Sequence, residues 1–480
     1  MSVGRNYLYN LIYQILLVFL PIITVPYVTR VLGSNGVGIY AYTSANIQYF
    51  ILFGTLGIAL YGNRTVAYVR DDKEKLSNAF WSILLLKSIT TSVVYVIFVI
   101  IFSINKNQFN IYYWIQSINI IAAAVDISWL FMGIEDFKKT VTRNLLIKII
   151  SMIAIFTLVK TSNDLWIYIL ITVMSNFLGQ AVLWIYVPNV VNYNKISFKD
   201  IKKHIIPVLR LFIPTIATQI YCIFDKTLLG YFSSTNEVGF YDMGQKIVYM
   251  SLTFITSMGT VMLPRITNIF ARGDMKKINV YLIKTFNFTS YISIPMMLGL
   301  MSISNGFSSW FFGSGFSKSG SIMMIESPII ILIGWSNVIG IQYMIPLGKV
   351  NEITLSVTVG AIVDIMANLL LTKSLFSIGA AISTVLAEIA VTIMQIYLMR
   401  DKLPFKEMFE DIWKYSLAGL TMYLIISLFN NLFVYCFVIT IIQIIIGIIV
   451  YFIMLLILKS NFQSYVVRIV REKIMKKVSK

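Results

Sequence analysis

Residues 433–458 read FVYCFVITIIQIIIGIIVYFIMLLIL and carry no charged side chain. About 20 mostly apolar residues in a helix span the hydrocarbon core of a bilayer, with every backbone N–H and C=O satisfied inside the segment. Water is the wrong solvent for such a stretch. The same criterion finds thirteen more runs along the chain, near 8–29, 38–61, 79–103, 112–133, 145–160, 165–187, 208–231, 238–262, 284–304, 319–345, 352–372, 377–399 and 414–430. The composition agrees. Of 480 residues, 58% are hydrophobic and 12% charged, against about 25% charged in an ordinary soluble domain. The expectation is an all-α integral membrane protein of about 14 transmembrane helices, with no room for a soluble domain.

The net charge of +18 would suggest nucleic acid in a soluble protein. In a chain of apolar helices it reads instead as the positive-inside signal and attraction to anionic lipid headgroups. Nucleic acid is therefore not an expected partner, and membrane lipids are. Cys222 and Cys436 both lie in apolar stretches and imply no disulfide framework. His204, the single histidine, sits in a basic linker. One histidine and two distant cysteines do not build a usual metal site, and the sequence calls for no cofactor. There is no G-x-x-x-x-G-K-[ST] loop for ATP. The first apolar run holds Pro21 and Pro26 and lacks a small-x-small ending, so it does not read as a cleavable signal peptide.

Loop charge sets the expected orientation. With the N-terminus inside, 31 of the 39 Lys and Arg fall on inner segments and 5 on outer ones: Arg30, Lys106, Lys160, Lys318 and Lys373. Lys87, Lys226 and Lys246 lie inside helices. The asymmetry predicts an even number of spans with both termini cytoplasmic. From Lys459 onward Val and Ile alternate with Arg and Lys, which suits either a basic amphipathic helix on the inner headgroups or a solvated tail.

The chain also contains a faint copy of itself. Asn35-Gly36-Val37-Gly38-Ile39-Tyr40 opens the second run, and Asn236-Glu237-Val238-Gly239-Phe240-Tyr241 opens the eighth, 201 residues later. At the same offset Arg64 matches Arg265, each just past the inner end of its helix. Copies six helices apart share one orientation, as in transporters built from parallel repeats.

A charge at the bilayer centre costs about 2.5–3.5 kcal/mol on insertion scales, so each one should face a cavity or a partner. The candidates are Lys87, Asp126, Asp225, Lys226, Asp242, Lys246, Asp364 and Glu388, with Arg30 at the outer end of the first helix. Bland readings stand beside functional ones. Asp242 and Lys246, four apart, suit a structural ion pair; Lys87 suits snorkelling to the inner face; Asp364 suits a helix–helix contact. The functional reading is a wet cavity in which Arg30, Lys87, Lys226 and Lys246 receive an anionic headgroup such as a pyrophosphate. The carboxylates Asp126, Asp225, Asp242, Asp364 and Glu388 would temper that charge or carry H⁺ or Na⁺.

Several motifs resemble one family. Tyr27-Val28-Thr29-Arg30-Val31-Leu32-Gly33, followed by Gly36-Val37-Gly38-Ile39-Tyr40, is similar to the opening motif of the polysaccharide-biosynthesis flippases. Asp225-Lys226-Thr227-Leu228-Leu229-Gly230 before Glu237-Val238-Gly239-Phe240-Tyr241 resembles its second-half counterpart. Gly133-Ile134-Glu135-Asp136-Phe137-Lys138-Lys139 resembles the inner loop after the fourth helix, and Phe376-Ser377-Ile378-Gly379 through Glu388 the entry to the twelfth. These flippases move lipid-linked O-antigen or capsule repeat units and belong to the multidrug/oligosaccharidyl-lipid/polysaccharide superfamily, which includes multidrug and toxin extruders.

The resemblance implies two six-helix bundles, 1–187 and 208–399, joined by a cytoplasmic linker at 188–207. Two further helices at 400–458 and a basic cytoplasmic tail at 459–480 complete the chain. It also implies translocation of an undecaprenyl-pyrophosphate-linked oligosaccharide from the inner to the outer leaflet of a bacterial cell membrane by alternating access, with other polysaccharide-assembly proteins as further partners. Arg64 and Arg265 match an inner-loop pattern and suit an inner gate or topology. The alternative is an ion-coupled multidrug or toxin exporter of the same fold. An enzyme of the same pathway fits poorly, because the short outer loops and the inner ones present no catalytic constellation.

Overall fold

The structure is a computed structural model that describes residues 3–105, 107–271, 275–430, 433 and 435–464. Side chains are described within these except at 3–19, 137–142, 213–215, 217–218, 221–222, 257–265, 267–268 and 270–271. The tail beyond residue 464, with its two readings, lies outside the described residues. Contacts divide the chain into two compact units, Met1–Gly239 and Phe240–Lys480.

In the first unit the first two apolar runs form one long element, α1 (Val3–Thr55), broken only at Gly33 (φ 67, ψ 178). That left-handed φ is open to glycine and strained for other residues. α2 (Ile58–Val69) and α3 (Lys73–Ile104) follow. Asp72 caps α3, accepting from the backbone N–H groups of Glu74 and Lys75 at 3.1 Å each. The fourth run is split into α4 (Asn110–Gln116), α5 (Ile118–Val125) and α6 (Ser128–Gly133). α7 (Phe137–Leu158) and α8 (Leu165–Ala181) come next, then a 3₁₀ stretch over Val182–Asn189 and α9 (Phe198–Phe232). α1 packs along α3, α5, α7 and α9, while α2 packs against α6. Phe80, Ile83, Trp129, Leu130 and Phe131 belong to one of its apolar cores.

α10 (Thr235–Ala271) starts in the first unit and continues into the second. There follow α11 (Met275–Phe311), α12 (Ser317–Glu326) and α13 (Ile329–Ser336), which runs into a π-helical turn at Asn337–Met344. The path bends by 41° between Glu326 and Ile329. α14 (Val350–Leu375) and α15 (Ser377–Met399) form a tight hairpin. α16 (Phe405–Phe409), α17 (Ile412–Asn430) and α18 (Phe437–Ile457) complete the described chain, with α17 and α18 packed on α11.

The polarity of these helices is reversed from that of a soluble protein. On α18 the buried stripe is Thr440, Gln443, Gly447, Tyr451 and Leu455, while Ile441, Ile444, Ile445, Ile448 and Ile449 are exposed. On α14 the buried stripe is Ser356, Gly360, Asp364, Asn368 and Thr372, with Leu355, Ile362, Met366 and Leu370 outside. Small and polar residues pack the helices together and apolar ones face the solvent, which is the arrangement lipid selects. Among the described residues nine helical stretches are long and apolar enough to cross a bilayer, and the bent pair supplies a tenth; one of the nine, Leu20–Val69, runs for 50 residues. The chain is an all-α, multi-pass membrane protein.

Candidate functional site: charged and polar groups within the spans

In the first unit the break in the fourth run organises two of the expected site residues. α5 ends at Val125, and Asp126 adopts an extended backbone (φ −65, ψ 114). The carbonyls of Val125 and Asp126 lose their helical partners there and are taken up by side chains. Trp184 Nε1 donates to the Val125 carbonyl at 2.8 Å, and Lys87 Nζ donates to the Asp126 carbonyl at 2.7 Å. A cation at a helix C-terminus also meets the negative end of the helix dipole. The Asp126 carboxylate turns forward and accepts from the Ser128 N–H at 2.9 Å, starting α6. Lys87 is only 2% exposed. Sequence reasoning placed both residues but missed Trp184.

Arg30 is exposed on α1, its Nη1 donating to the Pro26 carbonyl at 3.3 Å. Asp225, on α9, is buried at 1% exposure. Lys226 is half-buried beside it in sequence. Arg64 is exposed, with its guanidinium 5.6 Å from the centre of the Tyr68 ring.

At the end of α9 that precedes its apolar run, His204 is buried and bonded on both nitrogens. Tyr61 Oη lies 2.6 Å from Nδ1 and Ser82 Oγ 2.9 Å from Nε2. Burial first, then the Lys203 ammonium, push its pKa down to about 4, with Asp200 opposing. A neutral imidazole thus ties α9 to α2 and α3.

In the second unit Asp242 and Lys246 form an i, i+4 ion pair at 3.5 Å on α10, as the spacing predicts. Asp364 is fully buried on α14. Its Oδ1 accepts from Asn368 Nδ2 at 3.1 Å, and Asn368 Oδ1 accepts from Thr372 Oγ1 at 2.8 Å, a polar ladder one turn per rung. Glu388 is buried on α15. On the same helix Thr384 Oγ1 meets Tyr241 Oη of α10 at 2.9 Å. The side chain of Arg265 lies outside the described residues. Glu326, fully buried at the bend after α12, is an intramembrane carboxylate that the sequence reasoning passed over. Its signal is a charge inside the apolar run 319–345.

A cavity of about 400 Å³ opens between α11, α17 and α18, with Ser251 of α10 at its side. Its walls are apolar apart from Ser251, Gln443, Tyr291 and Tyr451. Tyr291 also donates to Gln463 Oε1 and packs on Phe462, 5.1 Å between ring centres. The Asp411 carboxylate accepts from the Asn461 N–H at 2.9 Å and pairs with Lys414 at 2.7 Å. The first turn after α18 is thereby fixed to α11 and the start of α17.

Comparison with known proteins agrees with this architecture. A putative O-antigen transporter of Escherichia coli (strain K12) is 25% identical over 413 residues, which is 84% of this chain and 97% of that protein. One from Shigella dysenteriae is 23% identical over 397 residues, 82% of this chain and 96% of that protein. The solved lipid II flippase MurJ, in an inward closed conformation, superposes with a TM-score of 0.74. It is 18% identical, over 94% of this chain and 97% of that one. An inward-facing multidrug resistance MATE family transporter of the MOP superfamily superposes at 0.59, with 13% identity over 84% and 95% of the two chains. Both show the fold. The family described as "Polysaccharide biosynthesis protein" matches residues 3–270, more than half of the chain, and the chain belongs to that family.

Proposed function

We propose that this protein is a flippase for undecaprenyl-pyrophosphate-linked oligosaccharide repeat units, moving them from the inner to the outer leaflet of a bacterial cell membrane by alternating access. Both termini are on the cytoplasmic side in this reading. In it, residues 1–187 and 208–399 act as the two bundles, with the linker 188–207, the helices at 400–458 and the tail at 459–480 around them. Proteins of polysaccharide assembly would supply and take up the substrate.

The observation that carries the reading is an inequality of exposure. Of the expected charges inside the spans, the basic groups Arg30, Lys226 and Lys246 (the last paired with Asp242) are wholly or partly accessible, while Asp225, Asp242, Asp364 and Glu388 are buried; Lys87, buried, and Asp126, half-buried, depart from this pattern. Accessible positive charge suits a pyrophosphate, with lysine as a point charge and arginine as a fork. The apolar cavity beside α18 gives a polyprenyl chain walls of its own chemistry. Arg64 and Arg265 act at the inner gate. Lys87 contributes its positive charge from behind the Asp126 break, and Asp126, Asp225, Asp242, Asp364 and Glu388 serve as cavity partners or carriers of H⁺ or Na⁺.

The test is transfer in liposomes. Lipid-pyrophosphate-linked oligosaccharide is loaded on one leaflet and followed to the other. Protein-dependent transfer is expected, falling about tenfold or more in Arg30→Ala and Lys226→Ala, as the loss of one charge-assisted contact predicts. Inert behaviour towards several repeat-unit substrates, together with gradient-driven efflux of a cationic dye, replaces this reading with the exporter.

A further inference from the structure

The two copies of the repeated motif meet each other directly. Ser34 Oγ donates to Asn236 Oδ1 at 2.8 Å, and Thr235 Oγ1 donates to Asn35 Oδ1. At the 201-residue offset Ser34 corresponds to Thr235 and Asn35 to Asn236, so each bond is the image of the other. The backbones repeat the relation. A Cβ added at Gly38 would overlap the carbonyl oxygen of Thr235, and one added at Gly239 would overlap that of Ser34. Gly38 and Gly239 are again equivalents, and each lacks the one atom that would hold the chains apart. Val37 and Val238, also equivalents, are buried.

An incidental helix contact has no reason to be reciprocal at three pairs of positions. This one obeys a local twofold relation. We propose that the pairing of 34–38 with 235–239 is the outer seal of the transport cycle, and that the two motifs must part for the outward-facing state. The proposal rests on the alternating-access reading and its orientation. The physical properties of the contact suit a seal. Glycine and hydroxyl groups close to backbone distance and exclude solvent without burying a charge. Neutral hydrogen bonds at an exposed end are individually weak. Such a contact is one that a substrate's preference for the other state can open.

The test uses the full chain with Cys222→Ser and Cys436→Ser, carrying Ser34→Cys and Asn236→Cys, in proteoliposomes. Mild oxidation is expected to form a disulfide and to slow lipid-linked oligosaccharide transfer about tenfold or more, with recovery on reduction. Failure of the disulfide to form overturns the proposal, and so does a disulfide that leaves transfer at half its rate or better. A second measurement needs no substrate. Ala41→Cys, one turn inward and buried, is labelled from outside with a membrane-impermeant maleimide. Labelling is expected to accelerate about fivefold or more when Ser34→Ala and Thr235→Ala or, separately, Gly38→Ala are added. Unchanged labelling in both backgrounds overturns the seal. Reduced protein that moves no lipid-linked oligosaccharide defeats the transport reading instead, and the labelling then decides the seal alone.

Discussion

Lys87 shows what a single residue in a span can be asked to do. Its ammonium is spent on a backbone carbonyl that a helix break has freed, so its removal leaves a buried acceptor unsatisfied. Lys87→Met is expected to lower stability by about 1–3 kcal/mol, read as a lower melting temperature in detergent, whereas exposed Arg30→Ala leaves it unchanged. Equal melting temperatures would show that the Asp126 carbonyl finds another donor. His204 makes a second prediction, with its sign fixed by linkage. Its folded pKa of about 4 lies below the ordinary value of 6.5, so between those values the unfolded chain binds more protons. Stability is therefore complete above pH 6.5 and is lost as pH falls towards 4, by about 3 kcal/mol in all. The melting temperature should fall more steeply over that window in the native protein than in His204→Asn; parallel curves would exclude His204 as the cause. Neither role was legible in the sequence. AAAVDISWLF contains no proline or glycine to announce a break, and the partners of His204 lie more than a hundred residues away.

Among the elements, α14 and α15 were the most legible. The runs expected at 352–372 and 377–399 became Val350–Leu375 and Ser377–Met399, with Lys349 just before the first and Arg400 just after the second. The fourth and tenth runs were legible as apolar stretches and not as broken ones, since a break depends on which side chains arrive from elsewhere to satisfy the freed backbone. Lipid-embedded packing makes the hairpin sensitive to small residues. At Gly360 an added Cβ would overlap the Val391 side chain and lie 3.2 Å from the Ala387 carbonyl oxygen. Gly360→Leu is expected to cost about 1–3 kcal/mol through overpacking, seen as a lower melting temperature. Insertion itself should be unaffected, because the segment only becomes more apolar. A variant as stable as the native protein would mean that α14 and α15 separate more easily than their contact suggests.

For the whole molecule, the placing of charge matters more than its amount. Several carboxylates are deeply buried, and Asp364 is the clearest case: fully buried on a polar ladder with Asn368 and Thr372. An ionised carboxylate there is costly, and taking up H⁺ or Na⁺ relieves the cost. A cycle that exposes Asp364 to the two sides in turn would be driven by the gradient of that ion. A ligand shifts the equilibrium between states only by its differential affinity for them. Asp364→Asn keeps the shape and the hydrogen-bonding reach while removing the charge on which such a difference depends. The expected outcome in liposomes is transfer of lipid-linked oligosaccharide that the ion gradient accelerates in the native protein and leaves unchanged in Asp364→Asn, with ungated exchange persisting. If the gradient accelerates both alike, the coupling charge lies elsewhere, and Glu388, Asp242 and Asp225 are the next carboxylates to neutralise. If it accelerates neither, translocation runs down the substrate's own gradient, and the buried carboxylates serve only to hold the helices in register.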